Sequence, residues 1–170
     1  AGGTSVWFRN THRGKRCVTL DLKHPDDKAR LFEMLAEADV MVEAFRPGVA
    51  ARLGIDYETV RAINPRIVYC AISAFGQTGP DRDRPAHDIA VEALAGVLSL
   101  NLGQDGKPTH PHIPVADANA ALLGLAGVLM ALLRRTTTGR GDYIDMAMLD
   151  ATMAWLPNAT GDLFATGRPP

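Results

Sequence analysis

Strand-like and helical patterns alternate along the first half of the chain, and this alternation constrains the fold more than any other feature. In order, the strand-like runs cover residues 17–22, 40–44 and 66–72, and the helical runs cover residues 26–36, 49–53 and 57–63. Strands that alternate with helices are typical of βαβ units, in which each helix carries the chain back to start a parallel strand. The pattern therefore predicts an α/β fold, a parallel sheet with flanking helices.

The second half predicts longer helices separated by polar loops. We expect helices over residues 87–100 and 117–134, a short strand over 143–146 and a helix over 149–155. Residues 76–85 form a polar loop with several Gly, Pro and charged residues, long enough to close over a ligand. A loop of this kind beside a sheet favours a binding site.

Composition narrows the class of partners. The chain has 170 residues, 46% of them hydrophobic, and a net charge of −1, so it can bury a core and offers no strong field for nucleic acid or a membrane surface. The most apolar segment, residues 116–133, contains Asp117 and Asn119 and predicts a core helix rather than a membrane span. Cys17 and Cys70 both lie in strand-like runs and are interpreted as reduced core thiols, which predicts a cytoplasmic protein.

Asp117 is the strongest candidate for chemistry. It is a lone carboxylate at the start of a long apolar stretch without an obvious cationic partner in the sequence, and a charge placed there costs free energy. A helix start favours the ionised form of a carboxylate, so we expect Asp117 to be anionic. The alternative interpretation is a plain N-cap of the helix.

His87 and Asp88 mark the start of the preceding predicted helix. A helix N-terminus opposes protonation of an imidazole, which predicts a neutral, basic His87. The alternative is again structural, because Asp88 could simply cap its helix. An acid and a base at neighbouring helix starts make Asp117, His87 and Asp88 the candidate catalytic residues.

Lys23, Arg46 and Arg52 follow or flank predicted strand ends. In an open parallel sheet these ends form the crevice where ligands bind, and cationic side chains there suit phosphate groups. Taken singly, each could be a solvated surface charge. No group of His and Cys shows metal-ligand spacing, so no metal is predicted.

Five segments together resemble the family III CoA-transferase superfamily, which includes formyl-CoA, carnitine and bile-acid CoA-transferases and α-methylacyl-CoA racemases. The matching segments are residues 13–23, 43–49, 72–80, 87–99 and 138–141. The resemblance implies a large Rossmann-like domain, a smaller second domain and an interlocked homodimer. Residues 1–170 would then be the central part of the large CoA-binding domain, with the N-terminal first strand and the small C-terminal domain absent.

The resemblance also implies roles for the candidate residues. Coenzyme A, as an acyl-CoA thioester substrate, would lie against Lys23, Arg46 and Arg52. In the transferases the residue matching Asp117 attacks the acyl-CoA carbonyl, forms a mixed anhydride and passes through an aspartyl-CoA thioester to another carboxylic acid. In the racemases the residues matching His87 and Asp117 exchange a proton on opposite sides of the α-carbon.

The sequence supports both reactions. His87 followed by Asp88 is similar to the racemases, whereas the residues after Asp117 lack the racemases' glycines and the loop over residues 81–85 is similar to the transferases. We expect transfer of CoA between carboxylic acids, with 2-methylacyl-CoA racemisation as the alternative. A non-catalytic CoA-binding fragment is the third possibility.

Overall fold

The structure is a computed structural model that describes residues 3–168. In chain order its helices and strands are α1 (Val6–Thr11), α2 (Pro25–Glu37), β1 (Val40–Glu43), α3 (Val49–Leu53), α4 (Tyr57–Ile63), β2 (Val68–Ser73), α5 (Asp88–Ala95), α6 (Val97–Leu100), α7 (Val115–Thr138), β3 (Asp142–Ala147), α8 (Met148–Met153) and α9 (Pro157–Thr166). The predicted alternation of strands and helices is confirmed.

The three strands of the described chain form one parallel sheet in the order β1-β2-β3. β2 is central: Val68 pairs with Val40 on one side and with Asp142 on the other, and Ser73 pairs with Ala147. All but one of the β2 residues are buried, because the strand has neighbours on both sides and helices on both faces. The α/β fold class is confirmed.

Alternating β2 side chains pack into two core layers, one on each face of the sheet. Tyr69 and Ala71 pack with Leu35 of α2 and Val60 of α4 on one face of the sheet. Val68 and Cys70 pack on the other face against α7, through Val128 and Ala131. This period-two alternation follows from strand geometry and places α7 directly across the sheet.

Glycines allow α7 to approach the sheet closely. A Cβ on Gly124 would lie 3.6 Å from Cys70 Sγ, and one on Gly127 would lie 3.5 Å from Ile144 side-chain atoms. At the other end of the helix, the Arg135 guanidinium binds the Asp39 carboxylate at 2.6 Å and donates to the Arg66 carbonyl at 2.8 Å. Both ends of the sheet-facing surface of α7 are therefore fixed.

The opposite surface of α7 is uncovered. It carries five large apolar side chains, each between 53% and 71% exposed: Leu122, Leu125, Leu129, Met130 and Leu133. We call this set the outer face of α7. Within residues 3–168, α7 is also the one helix long and apolar enough to cross a membrane, a property that core helices of soluble proteins share.

Residues 17–22 are not a strand, which corrects the prediction for this segment. The described chain has no regular element between Thr11 and Pro25. A strand forms only where another strand accepts its hydrogen bonds, and β1 pairs only with β2. Val18, Leu20 and Leu22 instead line an apolar groove beside β1. Cys17 is exposed and only Cys70 is buried, so the prediction of two core thiols is wrong for Cys17.

Two helix boundaries also differ from prediction. The helix expected over residues 87–100 is divided into α5 and α6 by Gly96, which adopts a left-handed conformation with φ 95°. Helix α7 begins at Val115 with Pro114 as its N-cap, so Asp117 lies inside the first turn and is not the cap. Helices α1 and α9 lie outside the predicted elements.

Candidate active site

A large cavity of about 620 Å³ lies where the strand ends meet the starts of α5 and α7. The segment after β1 contributes one wall, the end of β2 a second, and the loop before α5 a third. Asp117 and Ala120 of α7 and Met148 of α8 complete it. Carboxyl ends of parallel strands form the usual binding crevice of such sheets, so the cavity lies where the fold predicts a ligand.

The three candidate catalytic residues all line this cavity. His87 is the N-cap of α5, Asp88 is the first residue of that helix, and Asp117 lies in the first turn of α7. The Asp117 backbone N–H donates to Asp88 Oδ1 at 3.0 Å, which joins the two helix starts. The structure therefore brings the three predicted residues to one cavity, and their catalytic roles stay predictions.

The electrostatics of Asp117 differ from those expected at a helix start. Partial burial raises the pKa of the Asp117 carboxyl, the nearby Asp88 raises it further, and His87 opposes this by lowering it. The net direction is upward, so burial and Asp88 together outweigh His87, and the lowered pKa that we expected for Asp117 is not found. Within residues 3–168, no guanidinium forms an ion pair with Asp117.

Two of the three predicted CoA-binding cations lie together. Arg46 and Arg52 line a second cavity of about 270 Å³ with Pro47, Val49 and Asp83, and Arg46 also lines the larger cavity. The Arg46 guanidinium donates to the Asp83 carbonyl at 2.9 Å, which holds it between the two cavities. A fixed guanidinium with remaining donors suits a phosphate.

Lys23 lies apart from these two arginines. It is exposed, and its backbone N–H donates to the Asp21 carboxylate at 3.0 Å. Neither of the two cavities includes Lys23 among its described lining residues. It directly follows the segment that was predicted as a strand and found irregular. Its assignment to CoA stays a prediction.

Sequence reasoning missed four polar residues of the site. Arg82 and Arg84 line the large cavity, and Arg84 lies over the Phe75 ring at 5.7 Å. Ser73 also lines it, with a buried hydroxyl that has no hydrogen-bond partner in the described part of the chain. The polar loop over residues 76–85 pointed to the arginines as a group, but nothing local distinguishes them from solvated charges.

Glu92 is the fourth missed residue, and it lies behind the cavity rather than in its wall. It is fully buried on α5, one turn after Asp88, and accepts a hydrogen bond from the Val115 N–H at 3.1 Å. Ligand-type atoms of Asp88, Glu92 and His110 lie within 4.8 Å of one another, which is the spacing that a cation would need. A single Glu in the apolar run of α5 was the available sequence signal.

Comparisons with known proteins agree with this geometry. The family model described as CoA-transferase family III matches residues 1–170. The chain is 41% identical over 170 residues to an acetyl-CoA:oxalate CoA-transferase of Acetobacter aceti, covering 99% of the chain and 44% of that relative. It is 36% identical over 167 residues to a succinate–glutarate CoA-transferase of Agrobacterium fabrum, covering 98% of the chain and 42% of that relative.

A solved structure gives the same result for the fold. The crystal structure of a CAIB/BAIF family protein from Brucella suis superimposes with a TM-score of 0.89 at 34% sequence identity. The match covers 92% of this chain and 42% of that one. The chain thus spans less than half the length of the relatives that it matches.

Proposed function

The chain belongs to CoA-transferase family III, and from this membership and the cavity we propose that the protein containing it transfers CoA between carboxylic acids, with Asp117 as the nucleophile. One observation carries the proposal: Asp117 lines the large cavity at the strand ends, with its backbone held by Asp88 and, among the described residues, without a cation paired to its carboxylate. Two relatives named for CoA transfer between acids support it.

The proposed reaction exchanges acyl groups on one carboxylate. The Asp117 carboxylate attacks the acyl-CoA carbonyl, the C–S bond breaks, and a mixed anhydride and CoA thiolate result. The thiolate attacks the aspartyl carbonyl, releases the first acid and forms an aspartyl-CoA thioester. The second acid attacks this thioester and expels the thiolate again, which then attacks the new acyl carbonyl, forms the new acyl-CoA and frees Asp117.

The substrate would bind across both cavities. Arg46 and Arg52, with Lys23 brought to them by the complete sheet, would hold the phosphates of CoA, and the thioester would reach the large cavity past Arg46. Arg82 and Arg84 add positive charge where the carboxylic acid enters. The acyl donor and acceptor follow from walls that only the complete protein would provide.

The proposal extends to the whole protein. Residues 1–170 would form the central part of its large CoA-binding domain, preceded by a first strand and followed by a small domain. The complete protein would be a cytoplasmic interlocked homodimer. The partial coverage of the relatives supports a longer protein, because each of them extends well beyond the matched region.

The nucleophile is tested with Asp117→Asn in the full-length protein. We expect CoA transfer from succinyl-CoA to a free acid to fall at least about 10³-fold, the scale on which loss of a covalent catalyst is felt. Hydroxylamine added with acyl-CoA should trap wild-type protein as a hydroxamate on the Asp117 peptide, read by mass spectrometry. Asp26→Asn is the matched control, since Asp26 lies in the first turn of α2 with a 93% exposed side chain. Normal transfer by Asp117→Asn would refute the mechanism.

Racemisation is the second candidate, because His87 and Asp117 line the same cavity. A two-base racemase needs an acid and a base on opposite sides of the α-carbon. Incubation of the full-length protein with a 2-methylacyl-CoA in D2O separates the two reactions. A racemase would incorporate α-deuterium and lose this with His87→Ala, whereas the proposed transferase would exchange CoA and retain much of its rate in that variant.

A further inference from the structure

Glu92 is a buried acid that the proposed reaction does not use. Its exposed fraction is 0%, and Oε1 accepts a hydrogen bond from the Val115 N–H at 3.1 Å. Within the described chain, Oε2 is buried and receives no hydrogen bond from any donor. An ionised carboxylate with half of its acceptor capacity empty in a buried site is unfavourable, so the structure calls for a proton there.

Asp88 is the partner that can share this proton. It lies four residues earlier on α5, on the same helix face, and a carboxylate oxygen of Asp88 lies within 4.8 Å of one of Glu92. Two carboxyl groups can form a hydrogen bond only if one of them is protonated, because ionised carboxylates only accept. Asp88 is partly exposed and already accepts from the Asp117 N–H, so Glu92 is the better site for the proton.

We propose that Glu92 is a positioning residue. It is protonated and donates a hydrogen bond to the Asp88 carboxylate. Together the two acids fix the first turn of α7 so that Asp117 faces the cavity. The two acids bind two free amides of that turn, those of Val115 and Asp117. Pro114, the N-cap, provides no side-chain cap for these amides. Side chains of α5 therefore cap the N-terminus of α7, which has no side-chain cap of its own.

The groups around Glu92 agree with a neutral acid. Burial raises the pKa of Glu92 most, the hydrogen bond and charge of Asp88 raise it further, and Val115 and His110 oppose this. His110, from the loop before α7, accepts the His112 N–H on Nδ1 at 3.0 Å, so a neutral His110 carries its proton on Nε2. Asp117 and His87 are the other titratable groups beside Asp88.

The protonation state is tested by the stability of the full-length protein against pH. An acid whose pKa is raised by folding binds its proton more tightly in the folded state. Its contribution to stability therefore falls as the pH rises above the pKa of the unfolded state, which is 4.5 for Glu92. Glu92→Gln provides the same donor and acceptor without titrating. We expect the unfolding constant of the wild type to increase relative to Glu92→Gln by up to about tenfold per pH unit from pH 5 upward.

Three outcomes decide this experiment. A growing advantage of Glu92→Gln with rising pH supports the shared proton. The proposal is overturned if the wild type becomes more stable relative to Glu92→Gln as the pH rises, or if the difference in stability does not depend on pH. Stabilisation of the wild type by MgCl2 or ZnCl2, removed by EDTA and absent in Glu92→Gln, would also overturn it, because Asp88, Glu92 and His110 would then hold a cation.

The positioning role rests on the proposed function and is tested by kinetics. Glu92→Leu cannot bind the Val115 amide or Asp88, and we expect kcat to fall about 100-fold, the cost of a misplaced reacting group, with little change in KM. Glu92→Gln should rescue kcat and leave the acidic limb of the pH–rate profile in place. Equal damage by both variants, or a shifted limb in Glu92→Gln, contradicts the role. A wild type without transferase activity refutes the proposed function alone, since the stability experiment needs no turnover.

Discussion

Asp117 experiences opposing electrostatic influences, and their balance bears on its reactivity. Burial and Asp88 raise its pKa, whereas His87 lowers it. A carboxylate with a raised pKa is more basic and hence a better nucleophile, but it loses its charge at a higher pH than an ordinary aspartate does. His87 therefore extends the pH range over which Asp117 is ionised, and this gives it a role even in a transferase.

This role predicts the pH dependence of turnover. The acidic limb of kcat/KM should report the pKa of Asp117 and lie above the ordinary value of 3.8. His87→Gln removes the influence that lowers this pKa, so the limb should move to higher pH. Asp162→Asn, an exposed charge change on α9, should leave the limb in place. A limb that moves to lower pH in His87→Gln would contradict the assignment.

The sequence was sufficient to find Asp117 but not Glu92, and the reason is physical. Asp117 is conspicuous because its neighbours in the chain are apolar. The role of Glu92 depends on the Val115 amide, 23 residues away, which reaches it only when α5 and α7 pack together. Lys23 is the reverse case, because it was assigned from a predicted strand end and from resemblance, and the structure places it in neither cavity.

At the scale of elements, local patterns predicted most helices and the three strands because each forms from residues close in sequence. Residues 17–22 show where this fails: their strand-like alternation is present, but no neighbouring strand accepts their hydrogen bonds in this chain. Conversely, Gly96 broke a predicted helix through its own left-handed backbone. Pairing, unlike propensity, is a property of distant segments.

Gly141 is a point where two elements meet too closely for any side chain. Its backbone N–H donates to the Pro65 carbonyl at 3.0 Å, and a Cβ there would overlap the Ile67 carbonyl oxygen at 1.8 Å. We expect Gly141→Ala to destabilise the protein by about 1–3 kcal/mol or more, since β3 must move from β2. Chemical denaturation of the full-length protein measures this.

The matched control for that prediction is Gly161→Ala. Gly161 lies within α9, and a Cβ there would have no neighbour within 4 Å. Alanine should stabilise the helix by up to about 1 kcal/mol at such a position. Equal effects of the two substitutions would show that the contact at Gly141 does not limit the approach of β3.

At the scale of the molecule, the outer face of α7 is too apolar to be solvent-exposed in a complete protein. The chain spans under half the length of its relatives, so a full-length protein of their size would have further chain that could cover this face. If the face is covered in this way, we expect the third interpretation of the sequence, a fragment without activity, to describe residues 1–170 in isolation rather than the full-length protein. Fold class and family were predictable from the sequence, whereas this exposure was not.

The outer face predicts different behaviour for the isolated chain and the full-length protein. Residues 1–170 alone should bind a hydrophobic dye such as ANS and elute as species larger than 18.2 kDa. Leu129→Lys should reduce this association in the isolated chain and destabilise the full-length protein, in which we expect the face to be covered.

Thr136→Lys adds the same charge at an exposed polar site on α7 and should do neither. A full-length protein as stable with Leu129→Lys as with Thr136→Lys would show that the face stays exposed.

In the large cavity, the segments that would recognise a substrate and the residue that would react with it belong to different parts of the fold. Its walls come from segments that follow β1 and β2 and precede α5, whereas Asp117 is carried by a helix packed across the sheet. In the proposed reaction, insertions and substitutions in those loops would reshape this part of the acid-binding space without displacing the attacking oxygen. A lineage built on this plan would diversify its substrates by changing the loops while inheriting its reaction unchanged.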